Sequence, residues 1–392
     1  MQGFLFFYGG SFATPAQLLK SLKHSISYAT DSCSGRAMDI LLATNHLHDF
    51  TGSEVIILEF AEYFQSLGHR VRLFANWVGQ PMQGELERRL GVTVENEPAR
   101  IFPFDYDLAY MQHQVAGLFN YRLHGESKEK TSFVFGRLSR RSFLESGGWL
   151  HDRLLADRIL ANSVLTAEHL RLTGGQIPVS TFHNAAPAAF FRDRPSASGT
   201  LRTITIITNH ADPSLMAAAG ILSSRFQVRH IGKSGSEQRL VTPEMVHGSD
   251  LVISIGKSVQ YALAARTPVF VYDHFGGPGY LDGSNFHNAA SFSFSGRCCS
   301  RKLDADDLAE EIVRDYAKGI AFANADNDAM LRTFYLPDHL DRSLTLEPMS
   351  NRERQGLMGR NLFLIQERMM AEYVRSTYIE KIMLLDAIRC GE

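Results

Sequence analysis

The chain has 392 residues, more than one compact core accommodates, so two domains are expected. Hydrophobic residues at 44% and charged residues at 21% describe an ordinary globular protein, not a disordered or fibrous one. A formal net charge of −2 argues against a polybasic nucleic-acid binder, so any bound anion must be held by a local site.

Residues 1–36 carry aromatic side chains (Phe4, Phe6, Phe7, Tyr8) but no basic start and too short an apolar stretch for a signal peptide. They also lack a strand–helix rhythm. Two readings stay open: a loosely docked extension, or an over-long reading frame with Met38 as the natural start. Neither carries chemistry. From Asp39 short apolar runs alternate with amphipathic stretches, which predicts a parallel sheet covered by helices. Strands are expected at Ile40–Thr44, Val71–Ala75, Leu108–Met111, Ser132–Phe135, Ile159–Ala161 and Val179–Phe182. Between the first two, Val55, Leu58, Phe60, Ala61 and Phe64 fall at helical spacing, and Gly68-His69 ends that helix.

Pro195-Ser-Ala-Ser-Gly199 reads as a linker. The rhythm then restarts with strands expected at Thr203–Thr208, Gln227–Ile231, Leu251–Ile255, Val269–Tyr272 and Ser291–Phe294. Asp304, Asp306 and Asp307 open a further helix with favourable charge for its dipole. Arg352–Ile388 reads as one or two long amphipathic helices, with Met369, Met370, Tyr373, Tyr378, Ile379, Ile382 and Met383 as packing residues. No apolar run approaches the roughly 20 residues of a membrane span. Cys33, Cys298, Cys299 and Cys390 form neither a C-x-x-C pair nor a disulfide framework, which fits a reducing cytoplasm. The pattern divides the chain into an extension (1–36), two Rossmann-like α/β domains (37–192 and 200–345) and a helical tail (350–392). Two such sheets face one another across a crevice, where ligands of these folds bind.

Asn45-His-Leu-His-Asp-Phe-Thr-Gly52-Ser-Glu54 joins the first strand to the first helix. Gly52 at that helix start lets backbone N–H groups approach a phosphate, although Thr51 or Ser53 capping the helix explains the same residues without a ligand. The strand, the Gly-Ser-Glu loop and the helix ending Leu67-Gly68-His69-Arg70-Val71 resemble the opening of the family 4 glycosyltransferases. Tyr106-Asp107-Leu-Ala-Tyr-Met-Gln-His113 is similar to the family's strand end whose histidine faces the donor sugar. Ala156-Asp157 through Ser163 and His183-Asn184 match two further positions. In the second half, Gly248-Ser-Asp250 through Gly256-Lys257-Ser258, then Ala264-Ala-Arg-Thr267-Pro268-Val269, resembles the nucleotide-sugar pocket of GT-B transferases.

The resemblance implies a GT-B fold whose terminal helix crosses back to the first domain, and an enzyme moving a sugar from a nucleotide donor to a glycan or lipid-linked acceptor. On this reading Gly52, Gly256, Lys257, Ser258, Tyr261, Asp273, His274, Gly276, Gly277 and Gly279 bind the donor. His113 stabilises developing charge and Asp49 is the base. No metal and no separate cofactor are expected. His46, His48 and Asp49 share one loop but lack a distant third ligand. Expected partners are a nucleotide sugar, an acceptor and the inner face of the cell membrane, with Arg122, Lys128, Lys130, Arg137, Arg140 and Arg141 as a surface that meets it or a solvated helix face. The chain departs from the family where its usual glutamate is Tyr261, its usual glycine is Arg266, and Thr208-Asn209-His210 replaces the basic residues after the second domain's first strand. A tyrosine cannot accept a pair of sugar hydroxyls as a carboxylate does. A GT-B-like epimerase, a pyruvyl or phospho-sugar transferase, and a catalytically silent partner subunit therefore stay open.

Overall fold

A computed structural model describes residues 36–140, 145, 149–173, 176–192, 199–210, 212–233 and 235–390. Residues 1–35 of the expected extension, most of the Pro195–Gly199 linker, and Arg141 lie outside them. Asp39–Glu392 forms one compact unit built of two sheets.

The first lobe holds β1 (Asp39–Leu47), α1 (Gly52–Ser66), β2 (Arg70–Val78), α2 (Met82–Leu90) and β3 (Val94–Glu95). It continues with β4 (Leu108–Gln112), β5 (Ser132–Arg137), α3 (Leu150–Leu155), β6 (Arg158–Ala161), α4 (Val164–Thr173) and β7 (Val179–Thr181). The seven strands run in the order β3-β2-β1-β4-β5-β6-β7, all parallel. Ile40 to Ala43 are buried without interruption because β1 is central and covered on both faces. Leu41, Phe74, Met111, Phe133, Phe135 and Ile159 pack into one apolar cluster of this lobe.

The second lobe holds β8 (Thr203–Ile207), α5 (Pro213–Ser223), β9 (Gln227–Ile231), α6 (Pro243–His247), β10 (Leu251–Ser254), α7 (Lys257–Ala264) and β11 (Val269–Asp273). There follow β12 (Gly276–Tyr280), α8 (Phe286–Ser291), α9 (Ala305–Arg314), α10 (Tyr316–Asn324) and α11 (Asp328–Arg332). Its order is β12-β11-β10-β8-β9, four parallel strands with β12 antiparallel at the edge. Two expectations fail here. Ser291–Phe294 is not a strand: Ser291 ends α8, and Ser293 and Phe294 take left-handed backbone (φ 55 and 54). Gly276, Gly277 and Gly279, expected to bind the donor, lie instead in the strand β12. A side chain at Gly277 would fall on the Val271 carbonyl oxygen, so glycine is needed there for backbone packing.

The chain then returns to the first lobe through α12 (Leu336–Leu344), α13 (Asn351–Gly359) and α14 (Leu364–Cys390). Arg354 Nη2 donates to both carboxylate oxygens of Asp157, at 2.6 and 2.7 Å, and Glu367 accepts from the His151 backbone N–H at 3.1 Å. The architecture is thus GT-B: two Rossmann-like lobes and a terminal helix crossing back. Among the described residues no helix is long and apolar enough to cross a membrane. On α14, Met369, Tyr373 and Met383 are 63%, 68% and 67% exposed, against their expected role in packing. The side chains of Tyr378 and Ile382 lie outside the described residues.

Candidate functional site

In each sheet the strand order reverses at one place: between β1 and β4 in the first lobe, and between β8 and β10 in the second. Loops leave these strands in opposite directions there, opening a crevice at their carboxyl ends. A cavity of about 670 Å³ occupies the crevice, lined by His46, Asp49 and His113 from the first reversal and Thr208, Asn209 and Ile255 from the second. Three helix N-termini open onto the cavity. Thr51, Gly52 and Ser53 begin α1, Ser163 and Thr166 begin α4, and Gly256, Lys257 and Ser258 begin α7. Each brings the positive end of its dipole, with the Thr51 N–H taken by Glu54 and the Thr166 N–H by the Ser163 hydroxyl.

The first loop is fixed by Glu54, which is fully buried. Its carboxylate accepts from the backbone N–H groups of His48 (2.8 Å), Asp49 (3.0 Å) and Thr51 (3.1 Å) and from the Thr51 hydroxyl (2.8 Å). Burial opposes its charge, yet these donors and His48 hold Glu54 below the usual carboxylate range. Glu54 is therefore scaffold, and it delivers Asp49 to the cavity. Asp49 accepts from the Phe50 N–H at 2.8 Å and, across the cleft, from Gln238 Nε2 at 3.2 Å. Its Oδ2 lies 2.5 Å from Lys233 Nζ. Burial would raise the Asp49 carboxyl, but the Lys233 ammonium keeps it below its ordinary value.

His113 has left-handed backbone (φ 59) and is buried with both ring nitrogens engaged. Nδ1 lies 2.9 Å from the Thr44 hydroxyl, and Nε2 lies 3.0 Å from Glu145 Oε1. Gln112 Nε2 donates to Thr44 Oγ1 at 2.9 Å, which leaves that hydroxyl free to donate to Nδ1 and places a ring proton on Nε2. His113 is thereby a positioning group for Glu145, a second carboxylate lining the cavity. Burial opposes the Glu145 charge, and the His113 contact keeps its carboxyl below the usual range. Burial and the neighbouring His113 lower His46 to about 4, leaving it neutral.

Lys257 departs from its expected role. Its Nζ is buried, 2.7 Å from Glu59 Oε2 on α1, and donates to the carbonyls of Asn184 (3.2 Å) and Ala185 (3.1 Å). The Tyr261 hydroxyl donates to Glu59 Oε1, and its ring stacks on Phe190 with centroids 4.0 Å apart. Lys257 and Tyr261 thus border the cavity while their polar atoms bind the lobes together. Burial pushes the Glu59 carboxyl up and the Lys257 ammonium down.

Asp49, Gly52, His113, Gly256, Lys257, Ser258 and Tyr261 are brought together around the cavity; Asp273, His274, Gly276, Gly277 and Gly279 are not among its lining. Asp273 accepts from the Phe275 N–H at 3.0 Å to shape the β11–β12 turn, and His274 lies against His210 with ring centroids 4.1 Å apart. Glu145, Arg239 and Arg297 line the cavity without having been singled out, because no local motif surrounds them, and Arg140, expected on a basic surface, lines it too. Arg140 has no ion-pair partner among the described residues, Arg239 pairs with Glu237 at 3.1 Å, and Arg297 lies over Phe275 at 3.9 Å. Among the described residues the basic stretch 122–140 does not form one surface, since Arg137 is buried against Asp152 and Lys128 pairs with Asp39 at 2.8 Å. Asp105, His124 and Glu126 group their ligand atoms within 4.8 Å of one another, outside this cavity; His46, His48 and Asp49 form no such group.

No family model and no curated protein matches the chain. Solved structures similar to it include a glycosyltransferase from Rickettsia africae ESF-5, at 13% identity and a TM-score of 0.47, covering 83% of this chain and 100% of that one. Spinosyn forosaminyltransferase SpnP gives 12% identity and a TM-score of 0.42 over 79% and 100% of the two chains. The S. aureus MnaA–UDP co-structure gives 10% and 0.41 over 79% and 99%. Identities this low say nothing about substrate.

Proposed function

We propose that this chain is a glycosyltransferase that holds the diphosphate of a nucleotide sugar in the cleft and passes the sugar to a hydroxyl of a glycan or lipid-linked acceptor, as in bacterial surface polysaccharide synthesis. One observation carries the reading: three helix N-termini meet at a single cavity spanning the reversal points of both sheets. Such ends favour anions, and their aligned N–H groups stabilise charge gathering on a departing diphosphate. In the transfer, the acceptor oxygen bonds to the anomeric carbon as the bond from that carbon to the phosphate oxygen breaks. The acceptor proton goes to Asp49, and the electron pair leaves with the diphosphate. Arg140, with Arg239 and Arg297, supplies positive charge that would otherwise come from a divalent cation, so transfer is proposed to be metal-independent.

The test is calorimetric titration with uridine, adenosine, guanosine, cytidine and thymidine diphosphates, followed by turnover of the matching sugar donors. One nucleotide should bind, and Gly52→Leu should abolish binding while leaving the melting temperature unchanged, because a side chain at Gly52 meets open space. No binding by any of the five at millimolar concentration overturns the proposal. A second reading, binding without transfer, is favoured by the engagement of Asp49, His113 and Tyr261 in protein contacts. Tight nucleotide binding with no turnover of any donor would select it.

A further inference from the structure

The ion pair between Asp49 and Lys233 spans the cleft, joining the loop after β1 to the loop after β9. Its two members differ in freedom. Asp49 is 4% exposed, and its carboxylate and backbone are held by Phe50, Gln238 and Glu54. The Lys233 side chain is 48% exposed and ends a flexible four-carbon stem. Its backbone is fixed: the Lys233 N–H donates to Asn209 Oδ1 at 3.1 Å. The preceding Gly232 has φ 141, and a side chain there would fall on the Thr208 carbonyl oxygen. Asn209, Gly232 and Asp49 all line the cavity, so the Lys233 backbone is anchored beside its rim.

Resting on the nucleotide-diphosphate reading, we propose that Lys233 has two alternative anions, the Asp49 carboxylate and the ligand's diphosphate, and that capture by the second releases Asp49. The competition favours the diphosphate, which carries more charge than one carboxylate and sits against three helix N-termini. The other cations of the cleft are less able to make this exchange. Lys257 is buried on Glu59, and Arg239 pairs with a glutamate of its own loop. Lys233 alone among these pairs with a carboxylate that the acceptor chemistry needs free. Donor binding would thus unmask the base, and a hydroxyl meets an available Asp49 only after the donor is seated.

Calorimetric titration of the nucleoside diphosphate that the intact chain prefers, into intact chain, Lys233→Gln, Asp49→Asn and the double variant, tests the exchange. Lys233→Gln should weaken binding about tenfold, and Asp49→Asn should tighten it about threefold by removing the competing anion. In the Lys233→Gln background, Asp49→Asn should bring no tightening. Lys233→Arg, which keeps the charge, should stay within about threefold of the intact chain. A structural salt bridge would make both single variants shift in the same direction, which overturns the exchange. So does a gain from Asp49→Asn that persists without Lys233, which reports only removal of a negative charge. Failure of the intact chain to bind any nucleoside diphosphate would remove the underlying reading as well, an outcome distinct from the other two.

Discussion

A carboxylate buried between two lobes has to be neutralised where it stands. Glu59 is 6% exposed and faces Lys257 and Tyr261 from the opposite lobe, so those two groups offset its desolvation. Removing one partner leaves the other charge uncompensated. Glu59→Ala should therefore cost about 3–5 kcal/mol in urea unfolding, while Glu59→Leu combined with Lys257→Met should cost far less. Equal losses in the two proteins would show that the residues act independently. The same cluster explains what the sequence could and could not disclose. That Lys257 and Ser258 begin a helix in the second lobe was legible from the strand–turn–helix pattern. That Lys257 would spend its charge on Glu59, 198 positions away, was not, because a buried pair between lobes leaves no local signature. Tyr261, where the resembled family has glutamate, gives its hydroxyl to Glu59 of α1.

At the scale of elements, apolar runs located the parallel strands well, since strands buried on both faces need uninterrupted side chains of that kind. Where backbone packing replaces side-chain packing the signal fails. β12 is Gly-Gly-Pro-Gly-Tyr, which reads as a loop, and it forms because Gly277 lies directly over the Val271 carbonyl. The aromatic spacing at Ser291–Phe294 imitated a strand, but Phe294 is buried among Phe286 and Phe334 from a left-handed turn. The terminal helices were legible as helices and the resemblance returned them to the first lobe; the buried side chains that dock them were not legible. Arg354 is 1% exposed, gripping Asp157 and the Thr131 carbonyl (2.6 Å). Arg354→Ala should destabilise the chain by about 3–5 kcal/mol and expose α13 and α14 to limited proteolysis before the rest of the fold. Simultaneous digestion of both lobes and the tail would place the weak point elsewhere.

Across the whole molecule, the interior near the crevice holds histidines that must stay neutral. Burial lowers His46 and His183 to about 4, with His113 and His339 adding to the effect, and burial lowers His339 in the same direction. In the unfolded chain these groups titrate near 6.5. Between about 4 and 6.5 the unfolded state therefore binds more protons than the folded one, and stability falls as pH falls through that window. Each fully shifted histidine contributes up to about 1.4 kcal/mol per pH unit there. The carboxylates held below their ordinary range, Asp49, Glu54 and Glu145, retain their contribution until the medium is more acidic than their unfolded values near 4. The loss from pH 6.5 to 4.5 is therefore assigned to the histidines, and the carboxyls that burial raises, Glu59, Asp152 and Asp157, act against it as pH falls. Urea midpoints measured from pH 7.5 to 4.5 should decline steadily below 6.5. His183→Asn, which suits the left-handed backbone at φ 54, should make that decline shallower. Midpoints flat to pH 4.5 would mean that these rings are protonated, and solvated, within the folded protein.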